Sequence, residues 1–312
     1  NERRENYMTR VDIAIIGSGP AGLEAALTAK NRNKSIQIFG TKDLSNKMQV
    51  IDHPITNYLG LSNVTGKQMA EAFTNQMHDA GIEITECKVT TVYAMGDYFA
   101  LQLNNNEMVE AESVILASGV VAGKPFKGES EFLGRGVSYC ATCDGAFFRN
   151  KVTAVVGGGN VALEDAIFLS RMYEKVYLIH RRDEFRGAKI LQDEVKKNDK
   201  IEILWNTIVT KIDGDEVVEK LHIQDVDNHV DKLLDVDGIF IAVGTKPASE
   251  LLSGKLSTDE KGYIIAGEDG VTNIPGIFAA GDGRSKNLRQ VVTAVSDGAN
   301  CVYSVERYLQ NA

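Results

Sequence analysis

The chain has 312 residues, enough for two domains of ordinary size and too many for one small module. With 43% apolar and 25% charged residues it has the composition of a folded globular protein, which excludes wholesale disorder and a fibrous chain. Lys+Arg 34 against Asp+Glu 43 leaves a net charge of −9 at pH 7, so a broad electrostatic hold on nucleic acid or anionic lipid is disfavoured. Asn1–Arg10 is polar, and no apolar run approaches the roughly 18 residues of a membrane-spanning helix, so neither a signal peptide nor an anchor is expected. Four cysteines, two of them in one Cys-x-x-Cys, do not make a secreted disulfide scaffold; a cytoplasmic setting fits.

In chain order, Val11–Ile16 reads as a strand, Gly17-Ser18-Gly19-Pro20-Ala21-Gly22 as a tight turn, and Leu23–Leu27 as the start of a helix. In such a unit the first glycine permits the turn, the second lets a pyrophosphate approach the backbone, and the third lets helix and strand pack closely. A purely structural turn is the plain alternative. The acidic residue that would bond a ribose hydroxyl about 20 positions on is missing from Gln37–Lys42, which weakens an NAD reading of this site more than an FAD one. Ser113–Gly119 reads as a buried strand ending at a glycine.

The same arrangement returns as the strand Val152–Val156, the turn Gly157-Gly158-Gly159-Asn160-Val161-Ala162, a helix to about Met172 and a strand Val176–Ile179. At the end of that strand stands His180-Arg181-Arg182-Asp183-Glu184-Phe185-Arg186, where arginines can clamp the extra phosphate of NADP by charge-assisted hydrogen bonds. A solvated basic strand end is the alternative. Gly238–Gly244 reads as a closing strand of this second unit, and Gly276–Gly283 as a third strand of the same form, followed by a helical pattern from Arg289. That tail has no unit of its own, so it returns to the first. Short strands alternate with helices, which predicts an α/β protein of two Rossmann-like, three-layer domains with parallel sheets, one domain inserted into the other. The expected limits are 1–121 with 248–312, and 122–247.

Between the units lies Cys140-Ala141-Thr142-Cys143-Asp144-Gly145. Two residues between cysteines allow a reversible disulfide in one turn. Zinc and bystander thiols compete; a structural zinc needs two further ligands, and no second Cys-x-x-Cys or His pair at metal spacing exists. Asp144 is a candidate acid for a leaving thiolate, with an exposed turn aspartate as the alternative. Cys87, in an apparent strand, and Cys301, in the terminal helical pattern, read as small packing residues.

Two dinucleotide units with a Cys-x-x-Cys just before the second resemble the low-molecular-weight thioredoxin reductases. The most specific stretch is Gly134–Phe148, joined by Gly157–Asn160, the His180–Arg186 block, Ile241–Pro247, Gly281-Asp282 and Arg289–Ala294. The resemblance implies FAD on the first unit and tail, NADPH on the inserted unit, a homodimer, a domain rotation, and thioredoxin or a thioredoxin-like protein disulfide as acceptor. Carried over by position, Cys143 is the sulfur nearest the flavin, Cys140 attacks the partner disulfide, and Asp144 is the acid. Asp282 bonds the flavin's ribityl region, and Arg289, Gln290 and Val291 line its ring. Gly119 stands in Ala-Ser-Gly where the family has Ala-Thr-Gly, and Gly283 stands where a larger residue is common. The family's Gly-Gly-Gln and Asn-aromatic-Pro-Gly flavin loop is altered: Gln49 remains in Asn46-Lys47-Met48-Gln49, and Asn57 in Asn57-Tyr58-Leu59-Gly60. A ferredoxin donor, a glutaredoxin-like or peroxiredoxin-linked acceptor, and a non-catalytic nucleotide-binding redox sensor are the competing readings. A ferredoxin–NADP reductase would not need the cysteine pair.

Overall fold

A computed structural model describes residues 10–42, 48, 54–122, 125–247, 250–252 and 254–311. The chain forms two compact units, Asn1–Gln49 with Tyr58–Val121 and Lys246–Ala312, and Val50–Asn57 with Ala122–Thr245.

The first unit starts with β1 (Val11–Ile16), buried along its last four residues as befits a parallel strand covered on both faces. The helix α1 (Pro20–Asn31) follows, with proline in its first turn, where a missing N–H costs nothing. After β2 (Ile36–Phe39), α2 (Gly66–Asp79) opens on a capping box in which Thr65 and Gln68 satisfy each other's backbone N–H. Then come β3 (Ile84–Thr85), β4 (Val89–Ala94), β5 (Phe99–Leu103) and β6 (Met108–Leu116). The sheet runs β3-β2-β1-β6-β5-β4. β6 does two jobs: Met108–Ala111 pairs antiparallel with β5, while Val11 and Ile13–Ile16 pair parallel with its Ala111–Leu116. The chain leaves this unit through β7 (Val120–Ala122).

The second unit holds β8 (Val137–Ser138), a single-turn helix α3 (Ala141–Asp144), β9 (Val152–Val156), α4 (Asn160–Ser170), β10 (Lys175–Ile179), α5 (Lys189–Lys197) and β11 (Ile201–Leu204). A meander of β12 (Thr207–Gly214), β13 (Val218–Asp225) and β14 (Asp231–Asp235) precedes β15 (Gly238–Ile241). The parallel sheet is ordered β11-β10-β9-β15-β8. After β16 (Thr245–Pro247), the strand β17 (Ile277–Ala279) joins β6 in parallel, so the tail completes the first unit's sheet, and α6 (Val291–Leu309) packs on α1.

The expected α/β fold of two Rossmann-like units is present. Parallel pairing throughout is not: β4–β6 and β12–β14 are antiparallel. Each of these ladders turns one face inward, as with the buried Val218, Leu221 and Ile223 of β13, and needs only a short reversal rather than a helical crossover. Two bounds also move. Cys87 falls beyond β3, and the last helix starts at Val291, because Gln290 acts as its cap. Among the described residues no helix is long and apolar enough to cross a membrane.

Candidate active site

At the carboxyl end of β1, Gly17 N–H donates to Phe39 O at 2.8 Å and the backbone turns at φ 117°. A Cβ on Gly17 would stand 2.3 Å from Ala117 O, and one on Gly22 only 1.8 Å from Gly17 O, so both positions require glycine for space. Ser18 is buried; its hydroxyl donates to Thr41 O at 2.8 Å and accepts from Thr41 N–H at 3.0 Å. That hydroxyl fills the end of β2: a Cβ on Gly40 would meet Ser18 Oγ at 2.2 Å. The missing ribose acid thus has a steric reason, since a side chain at Gly40 has no room.

Gly119, Gly281 and Asp282 come to the same strand ends, those of β1, β6 and β17. Gly281 would bring a Cβ to 3.0 Å from that of Ala21, and Gly283 one to 3.0 Å from Gly119 O. Arg289 Nε donates to Asp282 O at 3.2 Å, and its guanidinium lies 4.0 Å from the centre of the Tyr263 ring. Gln290 and Val291 begin α6, with Gln290 N–H donating to Thr293 Oγ1 at 3.1 Å. Asn57 is exposed, and Gln49 lies outside the described residues.

Sequence reasoning missed what pins this loop. Asp297, on α6 and 4% exposed, accepts from Gly281 N–H at 2.9 Å, from Arg284 at 2.8 and 2.6 Å, and from Lys286 Nζ at 2.8 Å. Burial pushes its pKa up, but the hydrogen bonds from Arg284 and Lys286 outweigh this and hold it below the ordinary carboxylate value. One residue on, a Cβ at Gly298 would strike Ala21 O at 2.2 Å, which is how α6 gets close to α1. The legible signal was Asp-Gly in mid-helix, where both residues are unfavourable unless packing demands them.

The second turn repeats the first in backbone. Gly157 N–H donates to Ile179 O at 3.1 Å, and a Cβ there would lie 2.5 Å from Ala242 O and 2.7 Å from Ala162 Cβ. Gly158 O accepts from Arg186 N–H at 2.8 Å and Gly187 N–H at 3.1 Å, and Asn160 Oδ1 from Ala188 N–H at 2.7 Å. The exposed Arg181, Arg182 and Arg186 are therefore on a loop tied to the turn. Val161 is exposed and Ala162 buried. His180 lies beneath the turn rather than on its open side: a Cβ on Gly158 would meet its ring at 2.2 Å, and its Nε2–H donates to Glu184 O at 2.9 Å. Burial, followed by the charges of Arg186, Arg182 and Arg181, lowers its pKa against the Glu184 hydrogen bond.

Both turns fit a dinucleotide phosphate. A Cβ on Gly19 or Gly159 would meet nothing within 4 Å, and α1 and α4 both begin without a side-chain cap, which leaves first-turn N–H groups to an anion.

Cys140 is disulfide-bonded, whereas Cys87 and Cys301 are free; burial pushes the Cys301 thiol up to about 12. A disulfide sulfur is not a thiolate ligand, which tells against zinc at Cys140. Cys143 belongs to α3; its side chain lies outside the described residues. Asp144 is buried, 8% exposed, with Oδ2 2.5 Å from Ser138 Oγ. On the other side Tyr139 donates its hydroxyl to the buried Glu129, whose second oxygen accepts from Phe126 N–H at 2.8 Å. The segment around Cys140 is thus held from both flanks.

The model of the pyridine nucleotide-disulphide oxidoreductases matches residues 11–298. A curated thioredoxin reductase of Peptoclostridium acidaminophilum is 41% identical over 96% of this chain and 97% of its own length. Among solved structures, the thioredoxin reductase of Streptococcus pyogenes covers 98% of this chain and 100% of its own at 38% identity and a TM-score of 0.89. A ferredoxin-flavin thioredoxin reductase of Clostridium acetobutylicum covers 97% and 99% at 37% identity and a TM-score of 0.55. Two phosphate-ready glycine turns, a disulfide at Cys140 and this full-length likeness make the chain an oxidoreductase working with a flavin and a pyridine nucleotide, and it belongs to the thioredoxin reductase family.

Proposed function

We propose that the protein is an FAD-containing, NADPH-dependent disulfide reductase that delivers electrons to thioredoxin or a thioredoxin-like protein disulfide, as a cytoplasmic homodimer. The observation that carries the reading is the disulfide at Cys140 in the same unit as an uncapped glycine turn flanked by Arg181, Arg182 and Arg186. FAD supplies a two-electron carrier between hydride donor and disulfide. The first unit would hold it by Gly17–Gly22, Gly119, Gly281, Asp282 and Arg289–Val291; the second would hold NADPH by Gly157–Ala162 and the arginines, with His180 supporting the turn from below. Cys143 takes electrons within the chain, Cys140 attacks the partner disulfide, and Asp144 provides a proton to the thiolate that leaves.

Anaerobic titration tests the donor. Bleaching of the flavin band by NADPH, with a far weaker response to NADH, is expected; Arg181→Ala with Arg182→Ala should erase that preference. A flavin that dithionite reduces but neither nucleotide does would transfer the role of donor to ferredoxin, the reading favoured by the Clostridium likeness. A Cys143→Ser protein that still reduced protein disulfides would overturn the cysteine assignment.

A further inference from the structure

The hydrogen bonds around Asp144 give a role to a residue that the reading above leaves unused. Ser138, the last residue of β8, is 4% exposed. Its Oγ accepts from Cys140 N–H at 2.9 Å and lies 2.5 Å from Asp144 Oδ2, against 3.4 Å from Cys140 O. A hydroxyl has one proton to give, and here the near acceptor is the Asp144 carboxyl rather than the Cys140 carbonyl. Among the described residues, the Tyr173 hydroxyl that follows α4 is a titratable group on which the Asp144 charge acts. That hydroxyl is buried without a hydrogen-bond partner and senses the charges of Asp144 and Asp237.

We propose that Ser138 is the positioning residue of the proton-carrying carboxyl: by donating to Oδ2 while accepting from the Cys140 N–H, its hydroxyl fixes the Asp144 carboxyl to the backbone of the cysteine turn. This rests on Asp144 being the acid. In the step it serves, two electrons from the donor side cleave the S–S bond to two thiolates. The Asp144 carboxyl passes its proton to one of them and becomes the carboxylate that the Ser138 hydroxyl stabilises, and a solvent proton restores the acid.

The test uses the flavin-loaded full chain as Ser138→Ala, Ser138→Thr and Asp144→Asn, assayed with ferricyanide, which takes electrons at the flavin, and with a protein disulfide. Ser138→Ala should keep the ferricyanide rate, lose about tenfold in disulfide reduction and displace its pH profile; Ser138→Thr should return to within about twofold. A wild-type rate and profile in Ser138→Ala, beside an impaired Asp144→Asn, overturns the role of Ser138 while the acid stands. Equal losses with both acceptors, or a loss without displacement of the profile, make Ser138 merely structural. Full disulfide reduction by Asp144→Asn removes the acid and this proposal together. Should melting show that Ser138→Ala does not fold, Ser138→Cys, a weak donor of similar size, carries the same expectations.

Discussion

In the first unit the strand behind the glycine turn ends at Gly40 and the turn supplies the side chain, Ser18. In the second the turn has Gly158 and the strand supplies the side chain, the ring of His180. Equivalent backbone bonds, Gly17 to Phe39 and Gly157 to Ile179, put these pairs in the same place. One space under the turn is filled from opposite sides, by a hydroxyl in one unit and an imidazole in the other. The difference shows that the recurring element is the occupied volume beneath the glycine turn, and that residue identity at either position is free only if its partner changes too.

The largest effect should come from the Asp297 support of the first unit. Asp297→Ala strands Arg284 and Lys286 in the interior and should cost about 3–5 kcal/mol in urea unfolding, with loss of flavin on gel filtration. Next, Gly22→Ala drives a methyl into Gly17 O and should destabilise by ~2 kcal/mol, whereas the second unit already carries alanine at the matching place, Ala162. Comparable losses from Gly22→Ala and from Ala162→Gly would break the proposed asymmetry.

A double-mutant cycle sharpens the comparison further. Gly158→Ser and His180→Gly should each destabilise by roughly 1–3 kcal/mol, while the pair, which copies Ser18 and Gly40, should recover ~1 kcal/mol or more of the sum. Strict additivity would show that the two positions do not share one space.

The smallest effect is on pH dependence. His180 has its pKa held below the ordinary 6.5, chiefly by burial, so the native protein binds fewer protons than the unfolded chain in mildly acidic solution. Its contribution is present above about pH 6.5 and is lost as the pH falls below that value. His180→Asn should flatten the slope of melting temperature between pH 7 and 5 relative to the parent; an unchanged slope would show that another group sets it.

What was legible in the sequence was local. The strand, turn and helix of each unit lie within some 20 consecutive residues, and steric demand writes itself as glycine at Gly17, Gly22 and Gly157. The return of the tail was readable because Gly276–Gly283 had no unit of its own. Contacts through space were not readable: Asp297 reaches Gly281 across 16 residues and a change of element, and its charge gives no clue to the two cations it meets. The antiparallel ladders were missed because attention to glycine turns favours parallel units, although the buried alternation in β13 was available. His180 shows a further limit, since membership of a basic block does not say whether a side chain is exposed like the arginines or buried beneath the turn.

The late arrival of β17 dictates an order of assembly during synthesis. Residues 122–245 are complete and able to fold while the sheet of the first unit still lacks Ile277–Ala279 and the cover of α6. The half of the protein that begins first at the ribosome is therefore the last to close. A nascent chain stalled before Ile277 should carry a protease-resistant middle between two ends that remain open to cleavage.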